Sequence, residues 1–424
     1  MERYDKYINT GVSWMPRIPS HWKHVQFRGL FKITKRIAGR TGLDVLAVTQ
    51  RGIKVKDVES NEGQIAADYS NYQIVEPGDF AMNHMDLITG FVGISPQYGV
   101  TSPDYRVFKN ISPLASSQFY LYIFELCYKQ QIFYGLGHGV SNKGRWRLPA
   151  PIQNRFEIPL PPLAEQEKIV SYLEDKTSKI DAYVADKEKE IELLQELKQK
   201  TIADAVTKGL NPDAKMKDSG ISWIGGIPEH WEVCRMKRVF SEAKEKTTTE
   251  SGTLLSLSQY TGITLKDDAK KVGMFEAEST IGYNVVHSGQ FVMNIMLAWN
   301  GSYAVSDYEG IISPSYCVFN FNEDCEKKYF HYLLRLPAYA GAFKTMSKGI
   351  IESRLRLYPI YFLAFKTIIP PLNEQQAIVA YIEEKCEKID KLASELQSEI
   401  DYLKEYKQRL IADCVTGQVN VSGV

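Results

Sequence analysis

The feature that most limits the fold of this chain is a stretch of some fifty residues that occurs twice without insertion. Pro161-Pro162-Leu163-Ala164-Glu165-Gln166 returns 209 positions later as Pro370-Pro371-Leu372-Asn373-Glu374-Gln375. Lys179-Ile180-Asp181 returns as Lys388-Ile389-Asp390, and Ile202-Ala203-Asp204 as Ile411-Ala412-Asp413, at the same offset. One structural unit is used twice.

Each copy reads as a long helix. The two prolines set an extended lead-in, and the glutamate behind them suits the positive end of a starting helix. In the second copy apolar positions fall at Cys386, Ile389, Ala393, Leu396, Ile400 and Leu403, in steps of three and four. The first copy matches with Thr177, Ile180, Val184, Lys187, Ile191 and Leu194. That spacing is a heptad seam flanked by Glu and Lys. A helix of about 45 residues is about 65–70 Å long. Because the copies follow separate globular halves, the seams are expected to meet in an antiparallel coiled coil. Ile180, Val184, Ile191 and Leu194 would then face Ile389, Leu396, Ile400 and Leu403, with Lys187 helping to set register.

The globular halves, residues 1–157 and 211–366, repeat as well, with helical segments at 158–210 and 367–424. Gly11-Val-Ser-Trp14 followed by Ile18-Pro19-Ser-His21-Trp22 returns as Gly220-Ile-Ser-Trp223 followed by Ile227-Pro228-Glu-His230-Trp231. A histidine without a thiol or acid beside it in sequence is weak evidence for chemistry. These aromatics read instead as a plug packing the start of each half against its helix. Further on, short strand-like runs alternate with turn residues, and landmarks recur at an offset of 211. Gly78-Asp-Phe-Ala-Met82-Asn83 matches Gly289-Gln-Phe-Val-Met293-Asn294, and Ser102-Pro-Asp-Tyr105 matches Ser313-Pro-Ser-Tyr316. Helical patches follow around Phe119–Tyr134 and Lys328–Lys344. The fold class is therefore α+β: two mixed α/β lobes in pseudo-two-fold repeat, joined by two long helices.

The 424 residues carry 51 basic and 51 acidic side chains, so bulk charge makes no general polyanion binder. The distribution is uneven. Residues 1–150 hold 18 Lys and Arg against 12 Asp and Glu, the first helix (163–207) holds 7 against 11, and residues 211–365 balance at 17 and 17. The six cysteines form no Cys-x-x-Cys and read as free thiols of a cytoplasmic protein, not as a metal site. No apolar run reaches eighteen residues, so no membrane partner is expected.

Catalytic motifs fail their context tests. Ser102-Pro-Asp-Tyr105 and Ser313-Pro-Ser-Tyr316 lack the second proline of an adenine-methyltransferase loop. Gly135-Leu-Gly137 follows a helical patch rather than a strand, and a Walker A sequence is absent. The chain reads as non-catalytic, without a cofactor of its own.

The doubled Ser-Trp-x3-Ile-Pro-x-His-Trp opening and the doubled Pro-Pro-Leu-x-Glu-Gln helix start resemble type I restriction-modification DNA specificity subunits (the HsdS family). That resemblance implies two target recognition lobes, each reading half of a split site in double-stranded DNA. It implies a coiled coil that spaces the lobes and docks two methyltransferase subunits, with motor-nuclease subunits joining the complex. Adenosylmethionine, ATP and Mg²⁺ would belong to those partners.

No base-reading residue carries over from the resemblance, so DNA contacts are assigned from the residues themselves. Each lobe ends in a Gly-rich basic connection, where backbone and cations can approach phosphate or a guanine edge. In the first lobe the candidates are Asn83, His84, Asn142, Lys143, Arg145 and Arg147. In the second they are Asn294, Asn300, Lys348, Arg354 and Arg356. The competing structural role for these arginines is to cover a helix start. The competing function for the whole chain is a coiled-coil adaptor with two protein-binding lobes and no DNA contact.

Overall fold

The computed structural model describes residues 2–50, 52–57, 68–139, 146–259, 261–266, 279–322, 324–349 and 355–421. Two helices stand apart in length, Leu163–Lys208 with 46 residues and Leu372–Val415 with 44. The chain divides into two compact units, one made of Met1–Glu188 with Gln397–Val424 and the other of Lys189–Leu396. Each unit thus holds one lobe, the beginning of the long helix that follows it and the end of the other long helix.

The lobes share one topology. In the first unit a four-stranded antiparallel sheet runs in the order Phe31–Thr34, Arg106–Asn110, Phe80–Met82, Val92–Ile94. In the second the same order is Phe240–Ala243, Tyr316–Phe321, Phe291–Asn294, Tyr303–Val305. The shared landmarks are scaffold: Phe80 and Phe108 stack at 4.9 Å in one sheet, and Phe291 pairs with Phe319 in the other. The two Ser-Pro-x-Tyr sequences are turns in which the Tyr N–H donates to the Ser carbonyl, 3.0 Å in each. A buried side-chain amide braces one turn, where Gln73 Nε2 donates to the Ser102 and Tyr105 carbonyls, and Asn284 Nδ2 braces the other through the Tyr316 carbonyl.

Each expected helical patch is two helices. Ser117–Lys129 and Ile132–Gly135 are broken at Gln131, whose φ is +56°, and Lys327–Leu334 is separated from Pro337–Met346 by Leu336 before a proline. A third short helix, unanticipated in the sequence reading, closes each lobe at Ala150–Arg155 and Pro359–Ala364.

The long helices complete both cores. Ile169 and Leu173 from the start of one, with Leu410, Ile411, Cys414 and Val415 from the end of the other, join Trp22, Phe27 and Phe31 in the first unit. Ile378 and Ile382, with Ile202, Ala205 and Val206, join Trp231, Met236 and Phe240 in the second. Between those anchored ends the seam appears in the burial pattern. Thr177, Val184, Cys386, Leu396 and Ile400 are buried, and Ile180, Lys187, Ile191, Leu194, Ile389, Ala393 and Leu403 are half-buried between exposed neighbours. The helices run antiparallel within each unit. Lys407 Nζ lies 2.6 Å from Asp181 and Lys404 Nζ 2.9 Å from Glu188 in the first, and Lys198 Nζ 2.7 Å from Asp390 in the second. Lys187 leaves the seam's edge to reach Glu399 at 3.8 Å and sits over the Tyr183 ring at 5.3 Å. Exposed pairs of this kind add little stability but discriminate between registers.

Candidate nucleic-acid interface

The opening motif and the helix-start motif are two halves of one joint. His21 Nε2 lies 2.9 Å from Glu165, and His230 Nε2 lies 2.6 Å from Glu374. Trp231 Nε1 donates to Glu374 at 2.9 Å, and Tyr4 Oη donates to Glu165 in the first unit. The adjoining glutamines are buried at 0% and 2% exposure. Gln166 Oε1 accepts from the Ser116 N–H at 2.8 Å, and its Nε2 donates to the Leu114 and Pro161 carbonyls, both at 2.9 Å. Gln375 accepts from the Glu326 N–H at 3.0 Å and donates to the Pro370 carbonyl at 2.8 Å. Both histidines are therefore held in the joint between the lobe opening and the helix start.

In each lobe the structure brings the two groups of candidate residues together. The strand ending at Met82 leads into Asn83 and His84, and the Leu148 N–H at the base of the Gly-rich connection donates to the His84 carbonyl at 2.9 Å. In the second lobe the Leu357 N–H donates to the Ile295 carbonyl at 2.9 Å. Each connection is closed by a two-way backbone bridge, His138 with Arg147 and Lys348 with Arg356. Arg147, Lys348 and Arg356 are exposed, and among the described residues neither arginine forms an ion pair. Lys348 lies over the Tyr361 ring at 5.2 Å. Asn142, Lys143, Arg145 and Arg354 lie outside the described residues.

The described asparagines make hydrogen bonds within their own turns. Asn83 Oδ1 accepts from the Met85 N–H at 3.3 Å, and Asn294 Oδ1 from the Met296 N–H at 3.0 Å. Asn294 is only 4% exposed, so its side chain shapes the turn and does not face a ligand. Asn300 accepts from Ser302 Oγ at 3.0 Å. His84 is enclosed, and burial, followed by the nearby Arg106 and Arg147 charges, pulls its pKa down to about 4. It is neutral at pH 7.

The sequence reading missed Arg106. This buried guanidinium donates to the Leu148 carbonyl at 2.9 Å and to Gln153 Oε1 at 2.6 Å, pinning the base of the first connection. The signal was present, since Arg106 occupies the place of Cys317 in otherwise matching Tyr-x-Val-Phe landmarks. A second feature distinguishes the lobes. Arg36 pairs with Glu76 at 2.6 Å, whereas at the corresponding positions Glu245 pairs with His287 at 2.9 Å, and His287 also meets Glu309 at 3.0 Å.

Residues 19–193 match the family model of the type I restriction modification DNA specificity domain. The type I restriction enzyme MjaVIII specificity subunit of Methanocaldococcus jannaschii is 27% identical over 293 residues, which is 64% of this chain and 64% of that protein. The chain therefore spans under two-thirds of that relative. In fold, the chain is similar to a structure described as the basis of complex assembly and conformational transition of the type I R-M system. The TM-score is 0.65 at 15% identity, over 95% of this chain and 99% of the other. It is also similar to the HsdS subunit of Thermoanaerobacter tengcongensis, with a TM-score of 0.51 at 15% identity over 95% and 98%.

Proposed function

We propose that this chain is a DNA specificity subunit of the type I restriction-modification kind, and that it chooses the DNA sequence on which a modification and restriction complex acts. Each lobe reads one half of a bipartite site, and the helix pair sets the unread spacer. The chain catalyses no step. Adenosylmethionine, ATP and Mg²⁺ are used by methyltransferase and motor-nuclease partners.

One observation carries this reading. In both lobes the turn after Met-Asn and the base of a basic connection are tied together by the same backbone hydrogen bond, Leu148 to His84 and Leu357 to Ile295. A common scaffold thus presents sequences that differ between lobes, which is what two different half-sites require. The cations there suit phosphate, and the differing side chains suit base edges.

The helix pair also supports docking of two methyltransferase subunits. Leu193 and Leu197 are 54% and 51% exposed off the seam, and the positions 209 residues later, Tyr402 and Tyr406, are exposed as well. A large apolar pair repeated on the outer helix surface fits two copies of one partner.

The test is a DNA titration at several salt concentrations with a duplex carrying the site. A reader that neutralises phosphates loses affinity linearly in log-log coordinates as salt rises. The balanced charge of residues 211–365 favours the adaptor instead, and absence of any salt-dependent binding would establish it.

A further inference from the structure

Beside the exposed cations, each candidate interface carries an apolar side chain held out on a rigid turn. In the first lobe the turn is Asp86–Gly90. Asp86 Oδ1 accepts from the Ile88 N–H at 3.0 Å and the Thr89 N–H at 2.9 Å, and the Gly90 N–H returns to the Asp86 carbonyl at 3.1 Å. A Cβ on Gly90 would lie 2.0 Å from that carbonyl oxygen, so the turn admits no other residue there. Leu87 is fully buried. A Cβ on Gly137 would meet Leu87 Cδ1 at 2.7 Å and Trp146 Cδ1 at 2.5 Å, which places the turn directly against the base of the basic connection. Ile88, one residue on, is 54% exposed.

The second lobe also holds out an aliphatic side chain on this turn, but at another position. Ala298 is fully buried, Leu297, one residue before it, is 41% exposed, and Trp299, which stands where Ile88 does, donates its Nε1 to the Met296 carbonyl at 2.9 Å. The turns follow matching Met-Asn landmarks yet read His-Met-Asp-Leu-Ile-Thr-Gly in one lobe and Ile-Met-Leu-Ala-Trp-Asn-Gly in the other. They differ where two half-sites would differ.

An aliphatic tip cannot donate to or accept from a base edge. In the major groove the thymine C5 methyl is the apolar group it can cover, while neighbouring cations take the phosphates. Resting on the DNA-reading function proposed above, we infer that Ile88 and Leu297 are specificity-determining residues that recognise thymine by its methyl group, one in each half-site.

The experiment uses the full-length chain and a duplex carrying the site recovered from methylated adenines in its host. Each thymine is replaced in turn by deoxyuridine, and dissociation constants are measured for the unaltered chain, I88A and L297A. Losing one buried methyl weakens binding about fourfold. The expected result is one thymine per half-site that shows this loss, with I88A indifferent to the methyl in its half-site and L297A in the other. Both positions are exposed, so unchanged thermal unfolding verifies the variants. A half-site without thymine, or methyl losses that persist undiminished in both variants, overturns the inference while salt-dependent specific binding leaves the DNA-reading function standing. Absence of sequence-specific binding overturns both.

Discussion

His230 and Glu374 meet at 2.6 Å across 144 residues of sequence, and His21 and Glu165 meet at 2.9 Å across the same 144. The constant separation means that the lobe opening and the helix start were duplicated as a matched pair. Each lobe is fastened to the helix that follows it, near the buried glutamine that holds the next helix of the lobe.

That glutamine gives the first prediction. Gln166→Leu leaves the Ser116 N–H and the Leu114 carbonyl without their buried partner, at a cost of about 1–3 kcal/mol. Thermal unfolding of the first unit is expected to move down by several degrees, with Gln375→Leu doing the same to the second. An unchanged transition would mean that neither amide bears on stability.

The seam gives the second. Ile400 is fully buried, so Ile400→Asp introduces an unpaired buried charge and costs several kcal/mol. Ile191 is half-buried, and Ile191→Asp is expected to cost less. Leu193→Asp, off the seam, leaves unfolding unchanged and abolishes co-purification with the methyltransferase subunit. Equal losses of stability at Leu193 and Ile400 would contradict the seam.

Acid sensitivity gives the third. Burial, the larger cause, holds the pKa of His84 and of His331 down to about 4, against about 6.5 unfolded. Between those values the unfolded chain binds more protons, so stability falls as pH drops from 6.5 towards 4, by about 1 kcal/mol or more per histidine. His84→Gln and His331→Gln should flatten the decline seen in chemical denaturation at pH 5 and pH 7. His287 behaves oppositely: hydrogen bonds from its imidazolium to Glu245 and Glu309 raise its pKa, so its contribution is present below 6.5 and is lost as pH rises through the raised value. Arg36 occupies that clamp in the first lobe and stays charged throughout.

Much of this architecture was legible because it is periodic. The 209-residue offset, the three-four spacing from Cys386 to Leu403 and the Met-Asn landmarks carry the repeat, the helices and the scaffold. What was hidden depends on contacts between distant residues. Arg106 reaching Leu148 joins positions 42 apart, and the unit boundary that cuts each long helix between Glu188 and Lys189 or between Leu396 and Gln397 has no local marker. Asn294 stands among the sequence candidates for DNA contact at its Met-Asn landmark, yet the turn consumes its side chain.

The division between readers and ruler is tested most directly by lengthening both helices. The helices pair antiparallel in both units, so seven residues are inserted after Glu188 and seven after Leu396, which keeps the heptad seam in phase. Seven helical residues add about 10.5 Å, equivalent to about three base pairs at 3.4 Å each. Methylated adenines are then mapped across the genome of cells carrying the altered chain with its methyltransferase. The account predicts the same two half-sites separated by a spacer about three base pairs longer. Altered bases in either half-site, or an unchanged spacer, would contradict it.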